Sequence, residues 1–236
     1  MLRLIAFDAD DTLWHNETYY VQATARLKAL LSSYQSPELV EQKLNETEFH
    51  NVPRYGFGIK SFTLSMVETA IGISSGTVSG KEIKEIIELG QEMLLAPVSL
   101  FDHAGETLAE LAVNHELVLI TKGDLLEQEN KVERSGLAGY FCAIEILREK
   151  NAASYQKVLD RYGIPAPQFL MVGNSLKSDI LPVLEIGAQA VYIPYQHTWV
   201  YEHPPGRKSR LPTYHELENL SQLPELITML EGKNEN

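Results

Sequence analysis

The apolar positions along the chain follow two rhythms. Four short runs, 2–7 (LRLIAF), 117–121 (LVLIT), 169–173 (FLMVG) and 189–193 (QAVYI), are too short for helices and stop at turn-forming residues. Each reads as a buried strand. A weaker fifth segment, 140–146 (YFCAIEI), joins them, with Cys142 read as a core residue. The last four segments each follow a helical pattern. In "NAASYQKVLDRYGIP" (151–165), for example, Tyr155, Val158, Leu159 and Tyr162 fall on one helical stripe, and Gly163 and Pro165 supply the stop. Strands alternating with helices predict an α/β fold, with a parallel sheet, right-handed crossovers and helices on both faces.

Residues 16–96 break that alternation. They carry no clear strand and four helical patterns, at 18–32, 37–48, 59–72 and 81–95. A gap of roughly 80 residues between the first two strands is too long for a simple crossover. The expected organisation is therefore a core built from 1–15 and 97–236 with an all-helical domain, 16–96, inserted into it. The terminal GKNEN reads as a frayed tail.

A chain of 236 residues with 44% hydrophobic and 22% charged positions can bury a sizeable core. No apolar run approaches the ~20 residues that cross a bilayer. The first residues, MLRLIAFDAD, put acids where a secretory signal would need a longer apolar stretch. With the single cysteine, Cys142, this leads to the expectation of a reducing, cytoplasmic setting. The net charge of −12 argues against nonspecific binding to nucleic acid or an anionic membrane.

Open α/β sheets bind ligands beyond the carboxyl ends of their strands. The first strand ends in Asp8, Ala9, Asp10, Asp11 and Thr12. Residues two apart on an extended chain point the same way, about 6–7 Å from each other. Asp8 and Asp10 therefore share a side, and Asp11 is expected to be a turn residue. The second strand ends in Thr121, Lys122, Gly123 and Asp124, and the fourth in Gly173, Asn174 and Ser175, with Asp179 five residues beyond Asn174. Lys150 stands just before the intervening helix. Carboxylates and an amide oxygen gathered at one crevice are hard-oxygen ligands that suit Mg²⁺.

This set is identified on four motifs. Asp8-Ala-Asp-Asp-Thr12 resembles the first motif (DxDx[TV]) of the haloacid dehalogenase-like hydrolase superfamily, and LVLIT ending in Thr121 is similar to the second. Lys150 resembles the third-motif lysine, with Lys157 as the alternative, and VGNSLKSDI resembles the fourth. The helical insert matches the position of a C1-type cap on a Rossmann-like core. The resemblance implies that Asp8 attacks phosphorus to form an aspartyl-phosphate, and that Asp10 serves as general acid and then general base. It implies that Thr121 and the Lys122 backbone bind the phosphoryl group and that Lys150 holds Asp8. Asp8, Asp10, Asn174 and Asp179 would be the Mg²⁺ ligands. The expected substrate is a small phosphate ester, and a homo-oligomer is compatible with the sequence. The chain departs from the pattern at Asn174, where an acid is usual, and at Asn151, where many relatives have proline.

Asp10 separates reaction classes. A halide leaves without a proton and an alkoxide does not, so the acid favours phosphate esters over dehalogenation. A phosphotransferase of the mutase type shares the same residues, and a non-catalytic binding protein with a decayed metal site is the reading from another class. Trp14, His15, Asn16 and Glu17 are expected to line the entrance; the side chains of Arg54, Tyr55, Lys60 and Lys122 are read as solvated. The aromatic stretch 192–205 (YIPYQHTWVYEHPP) reads as a loop packed beside the site or at a subunit contact.

Overall fold

A computed structural model of the chain describes residues 2–197, 199–202 and 213–232. The chain divides into two compact units: Met1–His15, Val98–Lys122 and Lys131–Asn236 form one, and Asn16–Pro97 with Gly123–Asn130 the other.

The first unit is an α/β layer structure. Its strands are β1 (Leu4–Phe7), β2 (Glu116–Lys122), β3 (Ala143–Leu147), β4 (Phe169–Gly173), β5 (Gln189–Tyr192) and β6 (His215–Glu216). They form one sheet in the order β3-β2-β1-β4-β5-β6, with every pairing parallel. The central position of β1 explains its continuous apolar run, because both of its faces are covered. Ile5 and Phe7 turn to one face, where they meet α5 (Ala104–Leu111) and α9 (Leu223–Gly232) through Leu108 and Leu223. Leu4 and Ala6 turn to the other, against α7 (Ala152–Tyr162) and α8 (Leu181–Glu185) through Tyr155 and Val183. Two cores thus form from one alternating strand pattern.

The second unit packs α1 (Glu17–Leu30), α2 (Pro37–Tyr55), α3 (Ile59–Ile73) and α4 (Gly80–Leu95) around Leu27, Leu44, Phe62, Met66 and Ile86. α2 runs to Tyr55, well past the expected end near residue 48, and passes through Pro53. Pro53 has no N–H to donate to the preceding turn, and the helix ends two residues beyond it. The unit also takes in the start of α6 (Leu125–Ser135): the Ile59 N–H donates to Glu127 Oε2 at 2.8 Å and Lys60 pairs with Asp124 at 2.8 Å. Lys60 is therefore not simply solvated.

Three expectations are corrected here. Cys142 is exposed and precedes β3, an edge strand, so it is not core. Trp14 is buried in the sheet core, where its backbone bridges to Leu100, and it lines no entrance. β6 adds a sixth strand that the sequence pattern does not reveal. No helix among the described residues is long and apolar enough to cross a membrane. Residues 233–236 of the tail lie outside the described residues, as do 198 and 203–205 of the aromatic stretch.

Candidate active site

The candidate site is built at the carboxyl ends of β1, β2 and β4. β1 ends and the chain turns at once: the Asp8 N–H continues the ladder to Val172 C=O at 2.9 Å, and Leu13 N–H returns to Ala9 C=O at 2.8 Å. Asp11 takes the left-handed conformation (φ 61°), which aspartate tolerates better than most residues, and its N–H donates to Trp14 C=O. Asp11 is thus a turn residue.

Lys150 joins two buried acids. Its Nζ donates to Asp8 Oδ1 and, at 2.7 Å, to Asp179 Oδ1. Lys157 is exposed on α7 and takes no part. Burial works against the Lys150 charge, but Asp179 and Asp8 outweigh it and raise its pKa above the ordinary lysine value. Burial lifts the Asp8 carboxyl well above the usual carboxylate range; Lys150 opposes that rise, and Asp179 and Asp10 add to it.

The residue after Lys150 explains itself locally. Asn151 Oδ1 accepts from Ser154 N–H at 2.9 Å and Ser154 Oγ accepts from Asn151 N–H at 2.9 Å, a reciprocal cap that starts α7. At the end of β4, a Cβ added to Gly173 would lie 2.4 Å from the Asp179 carboxyl carbon, so only glycine lets Asp179 tuck beneath the strand end. Asp179 Oδ2 also accepts from Ser175 N–H at 3.0 Å. The Thr12 hydroxyl lies 3.0 Å from Asp8 Oδ2 and 3.3 Å from Asn174 Oδ1, which places these two oxygens side by side.

Thr121, at the end of β2, is 1% exposed, and its hydroxyl has no hydrogen-bond partner among the described residues. Lys122 beside it is corrected from a solvated to a half-buried side chain: Nζ donates to Glu202 Oε1 at 2.5 Å and Ser178 Oγ at 3.1 Å. Glu202 Oε2 accepts from Ser175 Oγ at 2.6 Å and Ser178 Oγ at 2.5 Å. Burial disfavours the Glu202 charge, but Lys122 and the serines hold its carboxyl down at about 2. The aromatic stretch therefore does pack beside the site, through Glu202 and through Tyr201, whose carbonyl and ring both meet Lys177. His15 packs on Phe101 (centroids 4.0 Å apart) and lies 3.2 Å from the Tyr195 hydroxyl. His203 lies outside the described residues.

Two groups beside Asp10 escaped the sequence reading. Asp10 Oδ1 accepts from Trp14 Nε1 at 2.7 Å, and Lys131 of α6 donates to Oδ1 at 2.8 Å and Oδ2 at 2.9 Å. The only sequence signal for Lys131 is its place on a helix that follows the Thr121 strand.

A buried carboxylate paired with lysine, a second acid two residues on and a hydroxyl on the neighbouring strand together form an arrangement that can support covalent hydrolysis. The chain belongs to the haloacid dehalogenase-like hydrolases, whose family model matches residues 2–187. It is a phosphoric monoester hydrolase of that family. It is 27% identical to mouse (Mus musculus) N-acylneuraminate-9-phosphatase over 98% of this chain and 96% of that protein. It is 26% identical to the 5-amino-6-(5-phospho-D-ribitylamino)uracil phosphatase YigB of Escherichia coli over 94% of this chain and 95% of that protein. A haloacid dehalogenase-like family hydrolase from Xanthomonas campestris shares 38% identity and superposes with a TM-score of 0.88, over 98% of this chain and 93% of that one.

Proposed function

We propose that this chain is a Mg²⁺-dependent phosphatase that hydrolyses a small phosphorylated metabolite through an aspartyl-phosphate on Asp8. The observation that carries the reading is the Asp8–Lys150–Asp179 arrangement, with Asp10 and Thr121 on the same strand ends. The relatives' names point to phosphate esters of small hydroxylated molecules, the substrate class proposed here. A dehalogenase would have no use for Asp10, and nothing in the site favours a mutase.

The donor set fits Mg²⁺. Among the described residues no three acids, imidazoles or thiols gather as a cage. Mg²⁺ needs none, since it binds through as few as one or two carboxylates together with neutral oxygens, waters and phosphate. Asp8 Oδ2, Asn174 Oδ1 and the Asp10 carbonyl would hold it. Asp179, committed to Lys150 and Ser175 N–H, supports the site from behind. Bound there, the ion offsets the charge of the phosphate and lets a carboxylate approach it.

The chain's own groups account for the remaining chemistry. An Asp8 oxygen forms the bond to phosphorus while the ester oxygen leaves and takes a proton from Asp10. Asp10, now a carboxylate, removes a proton from water, which breaks the acyl-phosphate and frees inorganic phosphate and Asp8. Thr121 offers its unpartnered hydroxyl to the phosphoryl oxygens, joined by the Lys122 N–H; the Lys122 ammonium stays with Glu202. The helical unit is read as a cap, because it is inserted directly after the acidic turn.

The test is a screen of phosphate esters with Mg²⁺, with EDTA, and with Asp8→Asn. Phosphate release that needs Mg²⁺ and disappears in Asp8→Asn is expected. Activity retained by Asp8→Asn rejects the covalent route, and transfer to an added sugar without release of phosphate would identify a mutase.

A further inference from the structure

Asp10 is gripped by side chains that no family motif supplies. Lys131 is 7% exposed and Trp14 is 1% exposed, so both donors come from inside the core unit. A lysine this deeply placed needs a charged partner, and both of its bonds to Asp10 span 121 residues of sequence. The indole donates to the same carboxylate from the far end of the acidic turn, four residues along. Three hydrogen bonds from two buried donors leave the Asp10 side chain little rotational freedom. Proton transfer demands a donor–acceptor reach of about 2.6–3.2 Å, and a misplacement of ~1 Å can cost about 10²-fold in rate.

We propose that Lys131 and Trp14 act as a positioning pair, fixing the Asp10 carboxyl group in the orientation from which, once it carries a proton, it passes that proton to the departing ester oxygen. The inference rests on the reading of Asp10 as proton carrier. Neither residue reaches the phosphoryl group in this role; each acts through Asp10. α6 thereby ties the Thr121 strand to the acid of the β1 turn.

The readout is dependence on the leaving group. 4-Nitrophenol departs with little help, whereas phenol, a much weaker acid, needs the proton. kcat/KM reports the step up to phosphoryl transfer to Asp8, so kcat/KM for 4-nitrophenyl phosphate and phenyl phosphate is measured with saturating Mg²⁺. General acid catalysis contributes about 10²–10⁴-fold. Lys131→Met is therefore expected to lower kcat/KM for phenyl phosphate about tenfold or more beyond its effect on 4-nitrophenyl phosphate. Trp14→Phe is expected to bias the two substrates in the same direction. It keeps an aromatic ring in the core and deletes only the Nε1 donor, so the inference stays refutable should Lys131→Met fail to fold. Lys131→Arg, which retains the charge, should show much less of this bias than Lys131→Met. Equal losses on both substrates in Lys131→Met and Trp14→Phe, with a biased Asp10→Asn, overturn the positioning role alone. An unbiased Asp10→Asn overturns the proton-carrier reading and this inference with it.

Discussion

Glu48 lies on the inward stripe of α2 with Val40, Leu44 and Val52, and it is only 9% exposed. Burial pushes its carboxyl from 4.5 up to about 8. The neutral acid therefore suits the fold, and the unfolded chain loses its proton first. Between the two values the native state binds more protons than the unfolded state, so stability falls as pH rises. The contribution is fully present below about pH 4.5, declines as pH climbs toward about 8, and is gone above it. At ~1.4 kcal/mol per pH unit, that interval is worth on the order of 3–5 kcal/mol. Glu48→Gln keeps the shape and removes the titration. Guanidinium unfolding of both proteins at pH 5 and pH 9 measures the difference. At pH 5 the two should be close, and at pH 9 the glutamine protein should lead by at least about 2 kcal/mol. Parallel pH profiles would refute the argument, since they would mean that Glu48 is as well solvated folded as unfolded.

Other outcomes follow from the pairs at the strand ends. Lys150→Met strands two buried carboxylates and should cost about 3–5 kcal/mol of stability by urea unfolding, together with phosphatase activity. Asn174→Asp should lower the Mg²⁺ concentration that half-saturates activity while lowering Tm in EDTA; an unchanged metal titration rejects Asn174 as a ligand. Glu202 has a depressed carboxyl, so its stabilisation is present above about pH 4.5 and fades as pH falls toward about 2. Glu202→Gln should flatten that acid limb, which pH-dependent thermal melts will show, and an unaltered limb counts against the Lys122 pair.

The parts of this molecule that sequence reveals are those written in local pattern. β1, β2 and β4 are central strands buried on both faces, so their apolar runs are unbroken and their ends mark the site directly. Asp8, Asp10, Thr121 and Lys150 stand where strands stop, a position that can be counted along the chain. Patterning fails where burial is one-sided: β3 is an edge strand, and the apolar look of YFCAIEI placed Cys142 inside when it is outside. β6 has two residues, too few for any periodicity. Trp14 sits in a largely polar stretch, and its place in the core cluster with Phe7 and Leu108 is set by contacts distant in sequence. Lys131 and the charge of Glu202 carry no local signal, because their partners lie 121 and 80 residues away.

Those long-range pairs give the Asn174 position a physical reason. At the strand ends Lys122 takes Glu202, Lys131 takes Asp10, and Lys150 takes both Asp8 and Asp179. In these contacts four carboxylates face three ammonium groups, which leaves a single surplus negative charge. It falls on the Asp8–Asp179 side, where one lysine serves two acids, and Asp8 carries the raised carboxyl that such crowding and burial produce. An acid at position 174 would stand near Asp8 across the Thr12 hydroxyl and double the surplus at a half-buried position. The neutral amide avoids that repulsion and still presents an oxygen. With Asn174 as the proposed Mg²⁺ ligand, what it gives up is charge toward the cation, so the fold without metal would gain stability at the expense of metal affinity. The repulsion between Asp8 and Asp10 of the acidic turn is thus met by two lysines, Lys150 and Lys131. Among these pairs the charge left over lies beside Asp8, the proposed nucleophile, where a divalent cation would have the most to neutralise.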